Sequence, residues 1–313
     1  MSDTVFPYTS TTGNEHSKII EFDDCNFATY TWPNTAPEFK GRILLVHGYR
    51  DAYGVYQRFF DFMNANGYDV FYFCQRGEGA TRYKDGSIGT TNDYHCSRDL
   101  DFMIDYNLKD LENQGKPLKL SLLGHSMGGG IVLNYAIDGT HRSKLTSVTT
   151  TAPLITLAPE TTPSLAIEYV VRFCCTFLPF TRTSKVKTSL NSSYLTADPQ
   201  FLEYFESQGR RPEALSGTLI ETRDFIMRGR KLLKPEFYSK TDKKLPILIC
   251  HGDEDKINYC ASSDSFINKC LGSIEGMQNK KFISYPGGRH CLLIDLMYEQ
   301  VQNDLLDFYN TYN

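Results

Sequence analysis

A serine stands between two glycines at the point where an apolar run gives way to a helical pattern. Residues 118–123 are typical of a buried strand, and residues 129–136 are typical of the helix that follows it. Gly124 and Gly128 lie two positions before and after Ser126, so the segment has the pattern Gly-x-Ser-x-Gly. A sharp turn from strand to helix holds such a serine exposed and leaves no room for a side chain at either glycine. The pattern predicts that Ser126 is a nucleophile.

A nucleophilic serine requires a base, and the base requires an acid that orients it. On a turn of this kind the chain order is serine, acid, histidine, and three of the seven histidines follow Ser126. His141 follows too closely to leave room for another strand, and His251 precedes the acidic cluster at 253–255. His290 lies in a loop after a short predicted strand, where its imidazole can face the turn. We therefore predict that His290 is the base.

The acid is expected just after the next-to-last strand of the chain, where several carboxylates compete. The apolar run 245–250 ends there, and a loop begins at Gly252. Asp255 is predicted, because two intervening residues let the chain turn back before a carboxylate points at the histidine. Asp253 is the alternative. One of the remaining acids is expected to cap a helix that starts near Lys256, since acids at a helix N-terminus complement its dipole.

An oxyanion at the reacting carbonyl requires two backbone N–H groups. At a serine turn of this type, one comes from the residue after the nucleophile, here Met127, and the other from the loop after an earlier strand. The run 41–46 is typical of that buried strand, and it ends in His47-Gly48. These positions predict the amides of Met127 and Tyr49 as the oxyanion donors.

The composition bounds the class of protein. The 313 residues are 41% hydrophobic and 22% charged, enough for one large core and an insertion. The net charge is −4 and the basic residues form no block, so nucleic acid is not expected as a partner. Nine cysteines show no Cys-x-x-Cys spacing and no metal-like cluster with histidine, which indicates reduced thiols in the cytoplasm and no metal site. The N-terminus is polar and no stretch is apolar enough to span a bilayer, so the chain is expected to be neither secreted nor membrane-spanning.

Strand and helix patterns alternate along most of the chain. This alternation predicts a mainly parallel sheet covered by helices on both faces, built from residues 1–152 and 241–313. Between these parts the alternation stops, and the chain becomes rich in Pro, Thr, Ser and aromatic residues with helical rather than strand character. Residues 153–240 are therefore predicted to form an inserted, mostly helical cap, or lid.

One segment of the predicted cap concentrates apolar and aromatic side chains. It covers residues 165–180 and is followed by the basic residues Arg182, Lys185 and Lys187. An apolar face flanked by basic residues suits a helix that lies on the surface of a membrane or lipid droplet. The alternative is that this helix packs onto the body of the protein, as amphipathic helices usually do.

Together these motifs resemble those of the monoacylglycerol lipases of the α/β-hydrolase superfamily, and most closely those of the fungal monoglyceride lipases. The resemblance runs over nearly the whole chain, and its specificity comes from the combination of motifs rather than from the serine turn alone. It rests on residues 42–48, 75–77 and 124–130, on Asp224-Phe225 with Arg228-Gly229, on the His-Gly-x-x-Asp pattern that ends at Asp255, and on residues 285–287 before His290.

The resemblance implies an α/β-hydrolase fold and hydrolysis of monoacylglycerol to glycerol and a fatty acid through an acyl-serine intermediate, without metal or organic cofactor. It supports Asp255 over Asp253, because the acid of the family stands three residues after the glycine. It also implies a cap that takes acyl chains from membranes or lipid droplets. Other activities stay open: a lysophospholipase, another carboxylesterase or an acyltransferase would use the same triad, whereas a silent lipid-binding relative would not need it.

Two segments depart from the family pattern. Where the family has His-Gly-x-Gly-Glu, residues 47–51 place Arg50 at the second glycine and Asp51 at the glutamate. That glutamate position lies near the glycerol head group in relatives, so the resemblance implies that Gly48 and Asp51 contact the alcohol part of the substrate. The aspartate often found before Gln-Arg-Gly in the family is Cys74 here.

Overall fold

The computed structural model describes residues 6–12, 15–51, 53–187, 191–207 and 216–313. The strands are β1 (His16–Phe22), β2 (Cys25–Trp32), β3 (Gly41–Val46), β4 (Tyr68–Phe73), β5 (Arg82–Tyr83), β6 (Leu120–His125), β7 (Ser147–Thr151), β8 (Lys185–Lys187), β9 (Ser216–Thr218), β10 (Ile247–Gly252) and β11 (Lys280–Tyr285). The α-helices are α1 (Gln57–Ala65), α2 (Asp93–Asn113), α3 (Met127–Asp138), α4 (Leu165–Phe177), α5 (Pro199–Ser207), α6 (Leu219–Lys231), α7 (Pro235–Tyr238), α8 (Cys260–Asp264) and α9 (Tyr298–Tyr312).

Most strands belong to one large sheet. Their order is β1-β2-β4-β3-β6-β7-β10-β11, with β5 paired to β2. The pairs β1 with β2 and β2 with β4 are antiparallel, whereas every pair from β4 to β11 along this order is parallel. The carboxyl ends of parallel strands meet at one edge of a sheet, so the loops after β3, β6, β10 and β11 share that edge. The predicted mainly parallel sheet is confirmed.

Helices cover both faces of this sheet. In β3, Leu44 and Val46 belong to the apolar cluster formed with α2 and α3. The alternate residues Ile43 and Leu45 belong to the cluster formed with α1 and α9. Because both faces of β3 are buried, its residues 43–46 are apolar at every position rather than alternately apolar and polar. The rigid sheet between two cores is what positions the loops at its carboxyl edge.

Residues 153–240 leave the sheet after β7 and return to it at β10. They contain α4 to α7 and a small antiparallel sheet, in which β8 pairs with β9. α6 is attached to α2, because Arg228 lies 2.6 Å from the Asp93 carboxylate and the Asp93 N–H donates to Asp224. The small sheet departs from the helical character predicted for this part, because strands of three residues are too short for an alternating pattern.

Across the described ranges, no helix is both long and apolar enough to cross a membrane. All nine cysteines lie within those ranges and are free thiols. In the same part of the chain, no group of three or more His, Cys, Asp or Glu side chains is arranged to hold a metal ion.

Candidate active site

The serine turn joins β6 to α3. Ser126 has a φ of 53° and a ψ of −118°, and a positive φ is uncommon for a residue with a side chain. A Cβ on Gly128 would lie 2.0 Å from the Val46 carbonyl oxygen, and one on Gly124 would lie 2.5 Å from the Gly128 carbonyl oxygen. Both positions therefore require glycine. The close packing presents the serine at the carboxyl edge of the sheet, where α3 begins.

The structure brings the three predicted triad residues together. His290 Nε2 lies 2.9 Å from Ser126 Oγ, and His290 Nδ1 lies 2.7 Å from Asp255 Oδ2. Because a carboxylate only accepts hydrogen bonds, Nδ1 carries the proton of the neutral imidazole, and Nε2 accepts from the serine hydroxyl. His290 and Asp255 are 4% and 6% exposed, so little water competes for these bonds. The arrangement can remove the hydroxyl proton of Ser126.

Asp255 is held by four donors. Its Oδ1 accepts from the N–H groups of Ile257 at 2.8 Å and Asn258 at 3.0 Å. Its Oδ2 accepts from His251 Nε2 at 3.0 Å as well as from His290. Burial alone would raise the pKa of this carboxyl, but the two histidines outweigh it and hold the pKa well below its usual range. Asp255 is therefore a carboxylate with a fixed orientation.

The alternative acid, Asp253, has a different position. Its Oδ1 accepts from the Gly287 N–H at 2.7 Å, and so it holds the turn that precedes His290. The prediction of a helix starting near Lys256 is wrong, because α8 begins only at Cys260. The residues in between turn their N–H groups toward the Asp255 carboxylate instead of starting a helix.

Two residues of the site were missed by the sequence reasoning. His251, set aside because it precedes the acidic cluster, is fully buried, and its Nδ1 lies 2.8 Å from Ser263 Oγ while its Nε2 binds Asp255. Asn258 places its Nδ2 3.5 Å from Ser126 Oγ and 2.8 Å from the Ala152 carbonyl oxygen. The sequence did carry a signal for His251, which is a histidine near the end of an otherwise apolar strand. It carried no signal for Asn258, since the contacts of that side chain are with residues far away in the chain.

The two predicted oxyanion donors, Tyr49 and Met127, line the cavity together with Ser126. Met127 is the first residue of α3, and N–H groups of a first helical turn have no acceptor within the helix. The partial positive charge of the helix N-terminus favours an anion there. Tyr49 lies in the loop after β3, and its ring packs against Phe225 of α6 with 5.8 Å between centroids. This loop is therefore supported by the segment 153–240.

The Asp51 carboxylate forms part of the same cavity wall. Its Oδ2 accepts from the Gly48 N–H at 3.0 Å and from the Tyr56 hydroxyl at 2.7 Å. Gly48 lies against the serine, since a Cβ there would be 3.1 Å from Ser126 Cβ. His125 Nε2 lies 3.9 Å from Asp51, and burial lowers the pKa of His125 to about 4, so this imidazole is neutral at pH 7. Two donors thus fix the carboxylate orientation.

The Arg50 side chain binds the loop after β4. The main chain at Arg50 has a φ of 58°, in the left-handed region that favours glycine. Its Nη1 donates to the Gly77 carbonyl at 2.7 Å and lies 2.9 Å from Glu78 Oε1, while Nη2 lies 4.0 Å from Glu221 Oε2 at the start of α6. Burial raises the pKa of Glu78 to about 8, although Arg50 opposes this rise. The arginine at the family's glycine position therefore finds acceptors from two other segments.

A cavity of about 680 Å³ is lined by Ser126, His290 and side chains of α4 and α6. Its wall is mainly apolar, and the apolar lining includes Leu154, Leu157, Ile167, Val171, Phe225 and Ile226. Glu168 of α4 and Arg230 of α6 also line it and form a pair with N–O distances of 2.5 and 2.7 Å. The volume lies in the range of small-molecule sites, and an apolar wall beside a nucleophile suits an acyl chain.

Comparisons with known proteins identify the family of this chain. The chain matches the family model of the serine aminopeptidases S33 over residues 37–297. It is 33% identical to the monoglyceride lipase of Saccharomyces cerevisiae over 308 residues, which cover 96% of this chain and 95% of that protein. It is 23% identical to the monoacylglycerol lipase of Mycolicibacterium smegmatis over 291 residues, covering 90% of this chain and 91% of that protein.

A solved structure supports the same relationship. The crystal structure of a soluble variant of the Saccharomyces cerevisiae monoglyceride lipase, in complex with a substrate analog, matches with a TM-score of 0.86 and 30% identity, covering 99% of each chain. The predicted family and the α/β-hydrolase fold are confirmed. Sequence and fold together show that this chain belongs to the monoglyceride lipases, within the serine aminopeptidase S33 family of α/β-hydrolases.

Proposed function

We propose that this protein hydrolyses monoacylglycerol to glycerol and a fatty acid, with Ser126, His290 and Asp255 as its catalytic triad. The observation that carries the proposal is the 2.9 Å contact between His290 Nε2 and Ser126 Oγ at the wall of an apolar cavity. A serine at this distance from a base can attack a carbonyl carbon, because the base takes the hydroxyl proton. The apolar cavity suits a fatty-acyl chain. Membership of the monoglyceride lipases favours monoacylglycerol among the possible esters.

In the first half of the reaction, Ser126 Oγ attacks the ester carbonyl carbon while His290 Nε2 takes the hydroxyl proton. Asp255 keeps Nδ1 protonated and stabilises the imidazolium that forms. The amides of Tyr49 and Met127 bind the oxyanion, and the dipole of α3 adds to this stabilisation. His290 then gives its proton to the glycerol oxygen as that oxygen leaves, and the acyl group remains on Ser126.

In the second half, water replaces glycerol. His290 Nε2 takes a proton from the water as its oxygen attacks the acyl carbonyl carbon. The same nitrogen returns a proton to Ser126 Oγ when the fatty acid leaves. Each step is a proton or acyl transfer by residues of this chain, so the mechanism uses no metal ion and no organic cofactor.

Gly48 and Asp51 are proposed to contact the alcohol part of the substrate. The Asp51 carboxylate lines the cavity and is oriented by the Gly48 N–H and the Tyr56 hydroxyl. A carboxylate on the cavity wall can accept a hydrogen bond from a glycerol hydroxyl. Aspartate is one methylene shorter than the glutamate of the family, which leaves more room for the alcohol at this wall.

Residues 153–240 are proposed to act as a cap that rests on a membrane or lipid-droplet surface, as a peripheral contact of a cytoplasmic protein. The large exposed apolar side chains on and beside α4 are Leu165, Ile167, Tyr169, Val170, Phe173, Phe177 and Phe180. Exposed basic residues flank them at Arg172, Arg182 and Lys185. An apolar cluster of this kind marks an interaction surface, and basic neighbours favour anionic lipid. Because Ile167 also lines the cavity, acyl chains would enter beside the bound surface.

Fatty acid release by the purified protein tests this function. Long-chain monoacylglycerol and lysophospholipid are supplied separately to the wild type and to the Ser126→Ala variant. We expect release from monoacylglycerol by the wild type and at least about a thousandfold less by the variant, because the nucleophile is lost. Release from lysophospholipid alone would contradict the proposed substrate. Equal release by the variant would contradict the proposed nucleophile.

A further inference from the structure

We infer that Asn258 is a further catalytic residue, whose side-chain amide donates a hydrogen bond to the nucleophile. This inference rests on the proposed function in that Ser126 attacks the substrate. Asn258 lies between Asp255 and α8, is 1% exposed, and lines the cavity. Its Nδ2 lies 3.5 Å from Ser126 Oγ. Hydrogen bonds of free enzymes are often long at the reacting atoms and shorten when the substrate is bound.

The carbonyl group of Ala152 decides which end of the amide faces the serine. Asn258 Nδ2 donates to the Ala152 oxygen at 2.8 Å, and a carbonyl oxygen only accepts. The nitrogen has two N–H groups, so its second one is available to Ser126 Oγ. Ala152 has a φ of 46°, and a positive φ is uncommon for alanine. The main chain is therefore held in an unfavourable conformation at the residue that anchors this amide.

The main chain of Asn258 is bound to the acid of the triad and to His251. Its N–H donates to Asp255 Oδ1 at 3.0 Å, and its carbonyl oxygen lies 3.2 Å from His251 Nε2. It also forms an isolated antiparallel bridge with Leu157. With both its backbone and its side chain bound, Asn258 keeps a defined position relative to the acid and to the nucleophile.

A donor at Ser126 Oγ assists both halves of the reaction. When the hydroxyl oxygen accepts from Asn258, its own proton points to His290 Nε2, which lies 2.9 Å away. As that proton leaves, negative charge grows on Oγ, and the N–H group stabilises it. The same atom carries developing charge in the second half, when the bond between Oγ and the acyl carbon breaks. Asn258 itself gains and loses no proton.

Two variants remove the donor in different ways, and a third controls for the segment. Asn258→Ala leaves space, whereas Asn258→Leu keeps a similar volume without polar atoms. Ser262→Ala removes a hydrogen bond of 2.7 Å to the Tyr259 carbonyl in the same segment, without touching Ser126. The rate constant for reaction of Ser126 with a fluorophosphonate reports its nucleophilicity without any lipid. Values of kcat and KM with p-nitrophenyl butyrate report turnover, and circular dichroism reports folding.

Both Asn258 variants are expected to react with the fluorophosphonate about tenfold more slowly than the wild type, which is the effect of losing one hydrogen bond to developing charge. Their kcat should fall by a similar factor, and their KM should stay within about twofold of the wild-type value. Ser262→Ala should stay within about twofold of the wild type. Wild-type rates in either folded Asn258 variant, or an equal loss in Ser262→Ala, would overturn the inference. A wild type that does not react at Ser126 would overturn the proposed nucleophile first. Normal fluorophosphonate reaction without release from monoacylglycerol would overturn only the proposed substrate.

Discussion

Replacing Asp255 with asparagine tests the triad, because the structure surrounds this carboxylate with four donors. Oδ1 accepts from the N–H groups of Ile257 and Asn258, and Oδ2 accepts from His290 and His251. Asparagine has one oxygen for these two pairs, so its NH₂ group must face one pair. The backbone N–H groups cannot become acceptors, whereas each imidazole can change its tautomer. The variant is therefore expected to turn its nitrogen toward the histidines.

This orientation disables the base. With an N–H group facing it, His290 Nδ1 must accept, so the proton of the neutral imidazole moves to Nε2. That nitrogen lies 2.9 Å from Ser126 Oγ and can then no longer accept the hydroxyl proton. A wrong tautomer of this kind costs about 10⁴ in kcat, which corresponds to about 5.5 kcal/mol of transition-state stabilisation. We expect a loss of this size in Asp255→Asn.

Asp253→Asn is the matched control, because the two acids are two residues apart and were the two candidates. The Asp253 side chain accepts an N–H from Gly287 through Oδ1, and asparagine keeps an oxygen for that bond. Hydrolysis of p-nitrophenyl butyrate, with thermal unfolding as the test of folding, should show this control within about twofold of the wild type. A folded Asp255→Asn variant with more than about one-tenth of wild-type activity would refute the reasoning. A large loss in the control alone would identify Asp253 as the acid.

Two further predictions concern stability and the lipid surface. Gly128→Ala places a Cβ 2.0 Å from the Val46 carbonyl oxygen and should lower the free energy of unfolding by more than about 4 kcal/mol. Gly272→Ala is the control: the nearest atom to its Cβ lies at 3.8 Å, and the free energy should change by less than about 1 kcal/mol. Equal midpoints of urea unfolding for the two variants would contradict this prediction. Phe173 and Phe177 are 46% and 67% exposed, and replacing both with serine should weaken flotation with phosphatidylcholine and phosphatidylserine vesicles at least about tenfold. Leu118→Ser, at a 53% exposed site before β6 and therefore at the opposite edge of the sheet, should bind like the wild type. Equal flotation of all three proteins would argue against the cap as the lipid contact.

The residues that could be found from the sequence are those whose positions follow from local chemistry. Ser126 stands in a turn that only glycine permits at Gly124 and Gly128, and the packing distances show why. His290 followed from chain order, because the fold places its loop at the same sheet edge as the serine. Asp255 and Asp253 are close in the chain and chemically alike, so the residues alone left both open. In the structure their partners differ: Asp255 binds His290, whereas Asp253 accepts from the Gly287 N–H.

The residues that could not be found depend on long-range contacts. Asn258 reaches Ser126 and Ala152 across more than one hundred positions of the chain, and no local pattern records this approach. The helix predicted near Lys256 begins only at Cys260, because the N–H groups of Ile257 and Asn258 bind the Asp255 carboxylate. The capping rule assumes that a carboxylate accepts hydrogen bonds from the first N–H groups of the helix that follows it. Here the same donors orient an acid for a histidine 35 residues further on.

Arg50 shows how a departure from a family motif can be compensated elsewhere in the chain. An L-residue in the left-handed region costs about 1–2 kcal/mol relative to glycine, and Arg50 has a φ of 58°. Its guanidinium binds the Gly77 carbonyl and Glu78 and approaches Glu221, whose side chain also completes the capping box of α6. These contacts offset the backbone cost, and they connect the loop carrying Tyr49 to the segment 153–240. The motif at 47–51 is therefore not a local unit. Its residue choice depends on acids that stand 28 and 171 positions later in the chain.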